Sequence, residues 1–564
     1  MPRPRPIAKA AASRASVLRQ AFEPAVTADG AGEAIRRRRG PIELPGEGGE
    51  RATVLAAALA PAALLVLVWL LVDPRTPDLA AQVYRVGLFH RVGFALWDEH
   101  WYAGHHLPGY SLLFPPLGAL LGTRGAGALC VLVSSGIFAL LLAHRYGRGA
   151  GLGAAAFAVA AVGDVWLGRL AFALGVALAL GAVLAYLRGP WPAAALLAAL
   201  AAAGSPVAGL LLGLAALTGS VYERSARPLL VLAVPAALVV LPLSALFPEG
   251  GTEPFPVLSF LATAGVALLF TTAASREDRL LAVAGPLYIS ACLCCLLIHT
   301  PVGSNIERYG VLLAAPLLLA ARPRPGLIGS VALAAIAVWV LWGPVRETAA
   351  VDGSPATTAA YYAPVERFLG RLPGPPVRVE VPLTRSHWEA AMLAPKVSLA
   401  RGWEKQIDER YDRVLLGGHL TAASYRAWLD HEAISYVALP DVPLDPSSAA
   451  EGRLIEAGPP FLRLVSRSRH WRIYAVADPQ PIVSGPAVLT ALGHDSFSLR
   501  ASAPRRIEVR IHDTRYWTLI AGRGCVGGGP EGFTEVRAAA AGPITVAARF
   551  SLARALGSGP SCRG

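Results

Sequence analysis

Three groups of residues in this chain are of types that do chemistry. The first is a pair of carboxylates. Asp78 lies in DPRTPDLAAQVYR, directly after the first long apolar run, and Asp164 lies in GDVWLGR between two later runs. A carboxylate at a membrane edge is costly unless it is solvated or paired, which makes each a functional candidate. Both have plainer readings: Asp78 or its neighbour Thr76 can cap a short amphipathic helix, and Asp164 after a glycine can be a turn residue. The second group is LFHRVGFALWDEHWYAGHH, where His90, His100, His105 and His106 accompany Asp98 and Glu99. These are the side-chain types that bind a divalent ion such as Mg or Mn, with His90, Asp98, Glu99 and His105 the candidate ligands. Their spacing follows no tight ligand motif. The same stretch also reads as an interfacial belt, with Trp97, Trp101, Tyr102 and Tyr110 at head-group level. The third group is Cys525 and Cys562, the two cysteines in polar context, which can pair if their domain lies outside the cytoplasm. Cys130, Cys292, Cys294 and Cys295 sit in apolar runs as small hydrophobes.

These residues must be held by membrane-spanning elements. Hydrophobic residues make up 54% of the 564 positions and charged residues only 16%, with a mean hydropathy of +0.48, beyond what a soluble core needs. The formal charge of +13 is carried mostly by arginines at the N-terminus and in short loops between apolar runs, a pattern set by membrane topology rather than by nucleic acid. The heavy use of alanine fits a GC-rich bacterial genome.

Residues 1–52 read as a disordered basic tail in the cytoplasm. Residues 53–345 hold about eleven spans, with an outer loop over 73–125. The arginine-bearing loops HRYGR, RGP, YERSAR, SREDR and RPRP face the cytoplasm, and GDVWLGR, FPEGGTEPF and HTPVGSNIER face outward. LLFPPLGALLG is too short to cross and reads as a half-helix on the outer side. From residue 346 the pattern becomes that of an extracytoplasmic region, α/β over 346–478 and β-sandwich over 479–564. Alternation in VRVEVPL, FLRLVSRSRHWRIYAVA, RRIEVRIHD and PITVAARFS predicts strands, and TAASYRAWLDHEAISYVALPD predicts a helix followed by a strand. RGWEKQID reads as ordinary surface. There is no Walker loop or dinucleotide-binding glycine motif at a strand-to-helix junction.

A first span, an outer loop with an acidic residue, an amphipathic helix and then W-x-x-x-W-Y-x-G…LPGYSLLFPPL together resemble the GT-C superfamily of integral membrane glycosyltransferases. GRLAFALGVALALG, PVGSNIERYGVLLAAPLLLA and RGWEKQIDERYD are similar to segments of actinobacterial multi-span proteins, some described as 6-pyruvoyl-tetrahydropterin synthase-related. The resemblance implies a polytopic α-helical, GT-C-like core with an active site on the outer face. It also implies a polyprenyl-phosphate-linked sugar donor, a cell-envelope glycan acceptor and inversion at the anomeric carbon. In it Asp78 is the general base with Asp164 as a second catalytic carboxylate, although Asp78 lacks the adjacent acidic partner of the strongest GT-C pattern. Arg169, Arg308 and Arg85 would face the lipid phosphate, with Asn305 as a hydrogen-bond partner. Arg308 reads equally as a partner of Glu307 or as a snorkelling side chain. Gln82, Tyr84 and the loop aromatics would contact the sugar, whose apolar face stacks on rings. Two other readings stay open: a transporter or flippase for a lipid-linked glycan, and a non-catalytic envelope scaffold.

Overall fold

The computed structural model describes residues 48–274, 278–321, 327–417, 419–558 and 561–562. The expected basic tail up to residue 47, the RPRP loop and most of SREDR lie outside these residues. The first described half is helical: α1 (Gly48–Val72), α2 (Pro77–Val92), α3 (Phe114–Leu121), α4 (Thr123–Tyr146), α5 (Gly151–Trp166), α6 (Leu170–Arg188), α7 (Trp191–Gly204), α8 (Pro206–Glu223), α9 (Leu229–Leu246), α10 (Val257–Ala274), α11 (Arg279–Leu297), α12 (Glu307–Ala321) and α13 (Leu327–Val351).

Among the described residues eight helical segments are long and apolar enough to cross a membrane. One of them, Thr123–Trp166, is the packed pair α4 and α5, and α7 is a shorter apolar helix. Helices suit this medium because each closes its backbone hydrogen bonds internally. Leu71, Leu258 and Leu327 are 76%, 80% and 81% exposed on the outer faces, a cost in water but not against lipid tails. Inside, Ala58, Ala62, Ala126, Ala154 and Ala158 are fully buried at helix contacts. Small side chains let neighbouring helices approach closely, which gives the alanine richness a packing role that composition alone did not show.

The outward loops of the sequence reading gather at one end of the bundle, against the C-terminal region. There Leu112 N donates to Ala203 O, Ser111 Oγ to Gly204 O and Gln406 Nε2 to Pro301 O. At the other end Arg145 forks onto Asp278, the N-cap of α11, and Arg148 meets Glu50. LLFPPLGALLG contributes the eight-residue α3, beside α2 at the first end.

The C-terminal half holds a five-stranded mixed sheet, in the order Ser398–Leu399, Arg378–Glu380, Ile434–Pro440, Trp471–Val476, Leu462–Arg467. Beyond it two four-stranded antiparallel sheets close on a core that includes Phe497, Ile507, Ile511, Val536 and Val546, and Cys525 is joined to Cys562 by a disulfide. The outer loop is clamped between bundle and C-terminal half. Its short hairpin, Trp97–Asp98 against His105–His106, is flanked by backbone bonds from Leu399 N to His100 O, Glu99 N to His494 O and His512 N to Ala103 O.

Candidate functional site

The two candidate carboxylates come from different loops and meet on one guanidinium. Helix α2 begins at Thr76, whose hydroxyl donates to Trp166 O, with Pro77 in its first turn. This puts Asp78 beside the turn that ends α5. In that turn Gly168 adopts a φ of +90°, and a Cβ on it would lie 2.2 Å from Leu79 N, so only glycine lets α2 approach this closely. Arg169 follows at once. Its Nε lies 3.4 Å from Asp78 Oδ2 and its Nη1 3.6 Å from Asp164 Oδ1. The Asp78 side chain keeps 35% of its surface accessible and Arg169 27%, whereas Asp164 keeps only 11%.

Arg308, on the first turn of α12, lies over the Phe172 ring at 5.2 Å, and its Nε is buried without a partner. Glu307 bonds elsewhere, accepting from Thr263 Oγ1, so the local ion pair between Glu307 and Arg308 is not formed. Asn305 lies in the single-turn helix just before α12; no side-chain bond joins it to the Asp78 cluster.

Farther along α2, Gln82 Nε2 lies 2.6 Å from Tyr110 OH, and the Arg85 guanidinium sits 3.8 Å from the Tyr110 ring centre. Arg85 also forms a buried ion pair with Glu404. Burial pushes the Glu404 carboxyl up to about 7, Arg85 pulls it down and Glu249 adds to the rise. Tyr84 donates to Asp98 and stacks on Trp101 at 4.4 Å, and Trp101 stacks in turn on His105.

One reading of the outer loop is corrected. Trp97, Trp101 and Tyr102 are at most 2% exposed, so they are packed inside protein and not at head-group level. Trp97 meets Trp517 of the sandwich, and Trp101 Nε1 donates to Ala390 O. The candidate metal ligands each have other partners or surroundings in this structure. Among the described residues no three His, Cys, Asp or Glu side chains converge to hold an ion. His90 is exposed, Asp98 accepts from Tyr84, Glu99 pairs with Arg378, and His105 Nδ1 contacts Asp98 O. Burial raises the Asp98 carboxyl to about 6 and Glu99 to about 8, and lowers His105 to about 3.

RGWEKQID is not ordinary surface. Trp403 Nε1 donates to Asp78 Oδ1 at 3.3 Å, and its ring stacks on His387 at 3.5 Å. Glu404 holds Arg85, while Arg401 is buried against Asp408. A tryptophan beside an acid in a polar run is the one sequence signal that could have marked this segment. Nothing local marked Glu249, which accepts from the His106 main-chain N–H.

Fold and site define a multi-pass membrane protein whose charged cluster is built by two membrane-end loops and completed by its C-terminal half. Among solved structures the chain is similar to the crystal structure of ArnT from Cupriavidus metallidurans bound to undecaprenyl phosphate, at 13% identity and a TM-score of 0.44, over 75% of this chain and 99% of that one. No family model and no curated protein matches the chain.

Proposed function

We propose that the protein is a membrane glycosyltransferase that moves a sugar from a polyprenyl-phosphate donor to a cell-envelope acceptor, with inversion. The observation that carries this reading is the convergence of Asp78 and Asp164 on Arg169 at one end of the bundle, with Asp78 still accessible. An acceptor hydroxyl loses its proton as it attacks the anomeric carbon, and Asp78, the more open carboxylate, is the base. The phosphate leaving group gains charge in the same step, and the guanidinium groups of Arg169 and Arg308 supply donors for it. Asp164 holds Arg169 in place.

The site belongs to the extracytoplasmic face and the N-terminus to the cytoplasm. The arginine loops support this orientation, as does a disulfide in the C-terminal region. The relation to the actinobacterial multi-span proteins belongs to the same reading. A scaffold is the second reading, because Arg169 between two carboxylates is also a structural clasp.

The test is a mass-spectrometric profile of envelope glycans and lipid-linked sugars in a deletion strain. The strain is complemented with wild type or Asp78→Asn at equal membrane abundance. Loss of one sugar with accumulation of its polyprenyl-phosphate donor is expected for both the deletion and the variant. A wild-type profile from Asp78→Asn would overturn the catalytic assignment.

A further inference from the structure

After Gly542–Ala548, the last strand of the sandwich, the chain returns to the end of a membrane helix. Tyr516 OH donates at 2.9 Å to the main-chain O of Leu246, the last residue of α9. The Tyr516 ring stands between Phe247 and Phe550, with ring centres 5.3 Å and 5.8 Å away. Arg549 N donates to Tyr516 O, and Arg515 Nη1 donates to Ala555 O. The segment from Arg549 to Leu556 is therefore fixed beside the tip of α9. On that helix Leu238 and Leu241 are exposed, which in a bilayer means that they meet acyl chains.

Leu556 N donates to Leu552 O at 2.9 Å, so these residues form a single helical turn with both leucines on one face. The opposite side of the turn packs on the sandwich, where Arg554 and Ala555 are buried. Leu552 and Leu556 are 73% and 81% exposed, and Phe550 is 50% exposed. A lone exposed leucine is ordinary. Three large apolar side chains on one short segment beside the end of a span mark a contact surface. Arg515 and Arg549 are exposed next to them, with Arg549 also meeting Asp495 at 3.1 Å. The segment is held at both ends, by the strand that finishes at Ala548 and by the disulfide from Cys562 to Cys525. The turn is thus presented at a fixed place on the sandwich.

We propose that Phe550, Leu552 and Leu556 dip into the membrane leaflet at this end of the bundle, with Arg515 and Arg549 at phospholipid head groups, so that the sandwich is held by the bilayer as well as by the helices. Lipid is the occupant because the segment continues from the tip of α9, whose own exposed leucines already face acyl chains. An apolar face flanked by cations is also the pattern of a segment lying in the head-group boundary. This inference rests on the membrane architecture and not on the reaction.

The experiment is photocrosslinking of the full-length protein in nanodiscs of phosphatidylethanolamine and phosphatidylglycerol, read by intact-mass spectrometry. In separate proteins Leu552, Leu556 or Val488 is replaced by p-benzoylphenylalanine. All three are exposed, so the replacement disturbs no core. Val488 is the control: it lies on the edge strand Ala487–Leu492, at the opposite end from the His494 turn that meets the outer loop. Irradiation should add the mass of one phospholipid at positions 552 and 556 and none at 488. Adding Asp78→Asn should leave these adducts unchanged, so the result is independent of the catalytic reading. The proposal is overturned if positions 552 and 556 capture no lipid, if position 488 captures as much, or if the two positions crosslink to a second copy of the chain in place of lipid.

Discussion

Asp78, Asp164 and Arg169 were legible as chemistry-bearing residues because a charge at a membrane edge needs a reason. Their meeting was not legible, because it depends on two turns far apart in sequence. If Asp78 is the base, Asp78→Asn should lower turnover by about 10²–10⁴, measured with purified protein and donor, while its thermal midpoint stays near wild type. Asp164→Asn should release Arg169 and cost turnover through looser donor binding, read as a rise in KM larger than that of Asp78→Asn. Glu249 carries a pH prediction. Burial raises its carboxyl to about 8, with the His106 main-chain donor and Arg410 pulling it down. Its folded pKa is above its unfolded value, so its contribution is greatest at low pH and is lost as pH rises toward about 8. Buried His106 is lowered to about 4 from 6.5. It acts in the opposite sense and only below the unfolded histidine range. Between about pH 7 and pH 8.5 thermal stability should therefore fall, and Glu249→Gln should flatten that slope.

Strands and helices with clean periodicity were readable: RRIEVRIHD contains Arg506–His512, and TAASYRAWLDHEAISYVALPD contains Ala422–His431 and then Ile434–Pro440. What misled was polarity taken as exposure. In VRVEVPL the alternation sets Arg378 and Glu380 on one face, which would be the wet one, yet both are fully buried. The outer loop covers that face, and Glu99 pairs with Arg378. RGWEKQID was misread for the same reason, since a partner from another element can bury a charge that local pattern assigns to water. Close approach of elements can be tested at Gly168. Gly168→Ala puts a methyl against the backbone of α2 at a positive φ, a strain of order 1–3 kcal/mol before any clash. Turnover should fall toward that of Asp78→Asn although no charged group is changed. Unchanged kinetics would show that α2 need not sit there.

At the scale of the whole molecule, the division into an apolar helical half and an α/β-plus-sandwich half was visible from composition alone. Their joint was not, because buried contacts such as Trp388 Nε1 to Arg75 O span 313 residues of sequence. The disulfide spans 37 residues, and Cys525→Ser should destabilise the sandwich by about 2–4 kcal/mol, seen as a lower-temperature transition absent from wild type. Free thiols at both cysteines in protein from an oxidising compartment would sink the pairing.

The bond from Trp403 to Asp78 also has a consequence in time. Asp78, Asp164 and Arg169 are made early, as the ribosome finishes the first third of the chain, while Trp403 and Glu404 emerge only after α13. A nascent chain inserted as far as α13 therefore holds Asp78 without its bond from Trp403. Completion of the site awaits the segment that follows α13, so a copy that stops at α13 carries no finished site.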